Sequence, residues 1–198
     1  MTAQINDTFR YHNELYDIAA IQFPEDFFDI ERLAITPEAT NTACWRGYVA
    51  GFSLQQNKLV LHTLDTNNSN GKATPVAIND IMPEIVKPDG LVDDYKQFRK
   101  WYYRDINLVI PYSGSILITN EFIEERYVHM GFQSPLSYHQ VIELTFTGGS
   151  FVKENDLSQT AAMLRETQQL ESREEQLARL PVWICECFDL SYKTKWDF

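Results

Sequence analysis

Cysteine, histidine and basic residues are all scarce in this chain, and each shortage closes off a class of function. There are three cysteines, Cys44, Cys185 and Cys187. An odd number, with two of them a single residue apart, makes a poor disulfide framework, so the expectation is three reduced thiols. The four histidines, His12, His62, His129 and His139, show none of the close pairing that zinc ligands need, so neither a metal site nor any other cofactor is expected. Seventeen basic residues face 28 acidic ones, a net charge of -11 that repels nucleic acid and anionic membranes and favours a basic partner. Long apolar runs are missing too. The charge-free stretch 106–120 is broken by Pro111 and Gly114 and falls short of the ~20 apolar residues a spanning helix requires. Residues 1–17 hold no apolar run of the kind found in secretory or transit peptides, which points to a cytoplasmic protein with no membrane partner. A phosphate-binding loop is also absent: Gly148 and Gly149 open a strand-like segment, whereas a phosphate cradle opens a helix.

What the chain does contain is enough apolar material for a core, 44% hydrophobic and 13% aromatic over 198 residues. The expected organisation is a strand-rich domain over 1–156, with a C-terminal helix and strand over 157–198 packed on it. Residues 16–23 alternate weakly, and Pro24 then opens an acidic stretch, 25–31, with room for one or two helical turns. Tyr48, Ala50, Phe52 and Leu54 alternate on one side of Gln55-Gln56-Asn57 and Leu59, Leu61 and Thr63 on the other, the pattern of a hairpin with one buried face. Thr147-Gly148-Gly149-Ser150 marks a second hairpin, between 140–146 and 151–153. Strands are also expected within 106–110, 115–119 and 182–192, with polar 65–74 as a loop. Helical spacing of apolar residues predicts helices over 89–104, 121–130 and 157–180. The fold class that follows is α+β: a mainly antiparallel sheet, barrel- or sandwich-like, with about three helices including a long C-terminal one.

Three places carry candidate chemistry. Thr42-Ala43-Cys44-Trp45-Arg46-Gly47-Tyr48 joins a thiol, an indole and a guanidinium. A catalytic reading makes Cys44 a nucleophile activated by a histidine such as His129 or His139. The blander reading is a buried thiol beside a core tryptophan, with Arg46 paired to an acid. On that view Trp45 and Tyr48 anchor the core, and Trp45→Ala costs about 3–5 kcal/mol. Residues 96–104 interleave four cations with four aromatics, a composition suited to nucleic acid, but the cations sit where a helix dipole would favour them anyway and the total charge is wrong. In the third place Met163, Leu170 and Leu177 lie seven apart, a stripe narrower than a core face and suited to a seam for one partner, the blander reading being packing on the parent sheet.

At 42–48, 107–118 and 127–133 the sequence resembles a group of uncharacterised bacterial proteins. The resemblance spans about 29–158 and implies a bacterial origin, with no activity and no catalytic residue attached. The leading functional expectation is a protein-binding module of bacterial type, an immunity or accessory protein whose acidic surface meets a basic partner or a second copy. The alternative is a small-ligand binder or hydrolase-like enzyme using Cys44, Arg46 and His129.

Overall fold

A computed structural model of the chain describes residues 2–39, 41–67, 76–85, 101–167 and 187–192. Its strands are β1 (Thr8–Tyr11), β2 (Glu14–Ile21), β3 (Tyr48–Gln55), β4 (Lys58–Thr66), β5 (Glu84–Ile85), β6 (Trp101–Tyr103), β7 (Leu108–Val109), β8 (Gly114–Phe122), β9 (Tyr138–Thr147) and β10 (Ser150–Asp156). Two α-helices accompany them among the described residues, α1 (Pro24–Phe27) and α2 (Ser158–Thr167). Both expected hairpins form, on Gln56-Asn57 and on Gly148-Gly149, and all four residues have positive φ, as two-residue turns demand. A third, β1–β2, turns the same way on His12 and Asn13. The helical turns after Pro24 are α1 and a 3-10 turn at Ile30–Leu33.

Nine strands pair in the order β10-β9-β8-β2-β1-β3-β4-β6-β5, with β7 added to β4. Every pairing is antiparallel except β1 with β3. The sheet bends until β10 meets β4 at Ser150 and Lys58. That seam is held by the Leu59 N–H donating to the Gly149 carbonyl at 2.8 Å and the Phe151 N–H donating to the Asn57 carbonyl at 3.0 Å. The result is an α+β fold whose mixed, mostly antiparallel sheet forms a near-closed ring.

Alternation decides what faces where. Phe9, Phe52, Leu61, Ile116, Ile118 and Phe146 belong to one inner core cluster, which Phe27 of α1 joins from one end, its ring 4.8 Å from Phe52 and 5.0 Å from Tyr112. Leu117 and Val141 point the other way and pack with Leu157 and Ala161 in a second, outer cluster under α2. Strand β8 is apolar on both faces because both are covered, which is why Ile116-Leu117-Ile118 reads as a continuous run.

Three expectations are corrected. Of the helix predicted over 89–104, residues 86–100 lie outside the described ones. Trp101, Tyr102 and Tyr103 are strand β6, paired with Thr66, Asp65 and Leu64. Aromatic residues beside an open strand edge gain more from cross-strand packing than from helical propensity. The helix predicted over 121–130 is the end of β8 followed by one 3-10 turn at Glu124–Arg126. Asn120 does accept the Glu121 N–H at 2.8 Å, but there it shapes a kink at Glu121 (φ 59°), and Phe122 still pairs with Tyr138. Third, Trp45 is 50% exposed, its ring stacked 5.1 Å from Phe188, so it does not anchor the core, whereas Tyr48 packs against the inner cluster. The helix predicted over 157–180 is present as the ten-residue α2, with 168–180 outside the described residues. Of the predicted strand 182–192, Cys187 and Phe188 are helical, Ser191 bridges Ile21, and 182–186 fall outside.

Candidate functional site

The segment carrying α1 is framed by two residues in the left-handed region, Phe23 (φ 57°) and Ala34 (φ 56°). Neither is glycine, and such positions carry a conformational cost that tertiary packing must offset. Here the offset comes from Phe27, Ile30 and Ile35, all buried in the inner cluster. Between these anchors Phe28 and Leu33 are partly buried against the same cluster, and the charged side chains are turned outward. Glu25, Asp26 and Asp29 are exposed. With β7 and the turn after it they border a groove of about 470 Å³ whose apolar surface comes from Phe28, Leu33, Leu108 and Val109. Val109 is 49% exposed. Asp29 accepts the Glu31 N–H at 3.0 Å and pairs with Arg32 at 3.4 Å, while Glu25 and Asp26 make no ion pair among the described residues. Their field reaches inward. The Tyr112 hydroxyl is held well above the usual phenol range, first by burial and then by Asp26 and Glu25. The arrangement is an apolar trough whose rim carries three carboxylates and one guanidinium, Arg32, a net negative charge.

The loop holding the first sequence candidate is stitched to the N-terminal segment. Gln4 donates to the Thr42 carbonyl at 2.8 Å and accepts the Trp45 N–H at 3.0 Å, and the Ile5 N–H donates to Ala43 at 2.8 Å. Gly47 closes the loop at φ +74°, where a Cβ would stand 2.6 Å from the Glu38 backbone. Arg46 grips Asp7 through two nitrogens, at 2.6 and 3.2 Å, and donates to the Ile5 carbonyl at 3.2 Å. Its guanidinium lies 5.0 Å from the Tyr48 ring and 5.3 Å from Phe132. Burial works against the Arg46 charge, but Asp7 outweighs it and raises the pKa. Burial, with Asp7 behind it, pushes the Tyr48 phenol up to about 12. Cys44 is buried and its thiol donates to the Tyr48 carbonyl at 3.2 Å. His129 is exposed, its Nδ1 3.4 Å from the Tyr127 hydroxyl, and His139 is exposed on β9. Cys44 and Arg46 thus share one loop, in which Arg46 is committed to Asp7, and His129 sits on another loop at the surface.

Of the proposed partner stripe, Met163 is 54% exposed on α2, and Leu170 and Leu177 lie outside the described residues. In the 96–104 stretch, Trp101 and Tyr103 are buried and Arg104 lies over the Tyr102 ring at 4.7 Å. Two of its four aromatics are therefore turned away from any ligand. Sequence reasoning passed over the α1 groove. Its signal was the acidic excess of residues 1–40, eight acids against two bases, together with the short helical turns after Pro24. Among the described residues no group of histidine, cysteine and carboxylate side chains is placed to hold a metal ion. No family model, no curated protein and no solved structure matches the chain.

Proposed function

We propose that this protein is a binding module of bacterial type, an immunity or accessory protein, that holds a basic, apolar-anchored segment of a partner protein in the groove beside α1. The observation that supports it is the pairing of an apolar trough with two exposed carboxylates, Glu25 and Asp26, that make no ion pair among the described residues. A lysine- or arginine-rich segment would supply the counter-charge, and one large apolar side chain would fill the space between Phe28 and Val109. The edge of β7 away from β4 carries no strand among the described residues, so an extended segment could add its backbone there. The centre of the ring is filled by Phe9, Phe52, Tyr112 and Phe146. The alternative, an enzyme using Cys44, Arg46 and His129, would require Arg46 to leave Asp7 and expose a buried carboxylate, a costly rearrangement.

Short synthetic peptides alternating Lys or Arg with Leu or Phe, titrated by fluorescence polarisation at low salt, test the proposal. Micromolar binding is expected, weakening as salt screens the rim. The double variant Glu25→Lys, Asp26→Lys and the single variant Val109→Asp should each weaken it by about tenfold or more. If no such peptide binds, or if acidic counterparts bind equally well, the groove is not a basic-segment site.

A further inference from the structure

Among the described residues, the outer face of the ring is covered by α2 over β2, β8 and β9, but not over β1, β3 and β4. That open stretch forms a groove of about 390 Å³, separate from the one beside α1. Gly51 lies in its floor, where a Cβ would stand 2.2 Å from the Thr63 hydroxyl and 3.2 Å from that of Thr8. The absence of a side chain is what lets these hydroxyls approach each other. Asp17 enters the groove from β2. It pairs with Thr8 across the β1–β2 ladder, so Asn6 and Arg10, two residues either side of Thr8, are its diagonal neighbours at about 7–8 Å.

Two charges in this groove, Asp17 and Arg10, are not paired with each other. The Asp17 carboxylate accepts the Tyr138 hydroxyl at 2.9 Å, yet makes no ion pair among the described residues. Burial raises its pKa, more than the hydrogen bonds from Tyr138 and Asn6 lower it. The folded form therefore holds the proton more tightly than the unfolded one. Stability from this group is present at low pH and lost as pH rises through the raised value, so ionising Asp17 costs the fold stability. Arg10 is exposed, borders the same groove and likewise makes no ion pair among the described residues. Asn6 is only 7% exposed, and its Oδ1 has no hydrogen-bond partner among the described residues.

We propose that this groove binds a small zwitterion of the amino-acid class, its ammonium at Asp17 and its carboxylate at Arg10. The ammonium brings three N–H donors to an end of the groove lined with acceptors: the Asp17 carboxylate, the Thr8 hydroxyl and, after a small shift, Asn6 Oδ1. The guanidinium of Arg10 matches a carboxylate in a planar, two-point bond. Opposite charges a few ångströms apart on one ligand fit a carboxylate and a guanidinium that stand on adjacent strands without meeting. Neither half of the ligand alone would satisfy both.

Saturation-transfer NMR on the full chain, with the twenty free L-amino acids as probes, tests this. At least one should bind, and its N-acetyl and C-amide derivatives should bind about tenfold more weakly or not at all. Asp17→Asn keeps the shape and the Tyr138 hydrogen bond, and Arg10→Gln alters only an exposed side chain, so both should fold. Each should weaken the amino acid by about tenfold or more. Silence across the panel would overturn the proposal. So would binding that survives either substitution or is matched by the blocked derivatives. The peptide titration at α1 uses neither residue, so the two proposals fail separately.

Discussion

Two neighbours in the loop 41–47 show how differently adjacent residues can matter. Trp45 has the larger side chain, but half of it is exposed and its main contact is a stack on Phe188. Arg46 has a charge that few folds bury, and it is held by Asp7, whose side chain is only 6% exposed and which also accepts the Ala50 N–H at 2.8 Å. Removing Asp7 leaves a guanidinium largely enclosed without its counter-charge and takes the anchor from the start of β3. We expect Asp7→Ala to cost about 3–5 kcal/mol, the penalty for breaking a buried pair from one side. Trp45→Ala should cost about 1 kcal/mol, the worth of an exposed aromatic stack. Urea unfolding of the two variants checks the order. A Trp45→Ala midpoint lower than that of Asp7→Ala would mean that the indole carries structure beyond its visible contacts.

Among the elements, α2 has the clearest division of labour. Asp156 accepts the Ser158 N–H at 2.9 Å, and Ser158 in turn accepts the Val141 N–H at 3.1 Å, so the start of the helix is tied to β9. Arg165 donates to the Tyr138 carbonyl at 2.7 Å nearer its other end. Between them Ala161 is fully buried against the outer face of the sheet, whereas Met163 points to solvent. A larger residue at 161 has no space to enter, so Ala161→Leu should lose about 1–3 kcal/mol. Met163→Glu should change stability by no more than about 0.5 kcal/mol. Thermal melts of both variants test this, and a destabilised Met163→Glu would place that side chain in a buried seam.

For the whole molecule, the weak line is the seam of the ring. Strand β8 is paired with β9 along its length and with β2 from Ile116 to Thr119, while β10 meets β4 through one residue pair. Local opening follows the number of bonds and apolar contacts that must break. The amides of Ile116, Leu117 and Ile118 should therefore exchange with solvent deuterium most slowly, and those of Leu59 and Phe151, which cross the seam, well before them. Uniform protection around the ring would show that closure is as cooperative as the rest of the sheet.

Some of this was decided by the sequence alone. Asn57, Gly148 and Gly149 tolerate the left-handed backbone that tight hairpins need, and strict alternation beside them can bury only one face, so those hairpins were legible from neighbouring residues. The turn at His12-Asn13 was legible in principle, because Asn13 stands between the alternating Phe9 and Tyr11 and the alternating Tyr16 and Ile18. Net charge and the acidic bias of residues 1–40 were likewise a matter of composition. Tertiary structure decided the rest. Helical spacing in 101–103 and the capping signal at Asn120 were true local preferences, worth fractions of a kcal/mol, and long-range strand pairing with Leu64–Thr66 and Tyr138 overrode them. Which side of the sheet Asp17 faces, which acids line an apolar trough and whether Arg46 meets Asp7 depend on segments far apart in the chain. No local pattern encodes them, because burial and charge pairing are properties of the surroundings that the closed ring creates.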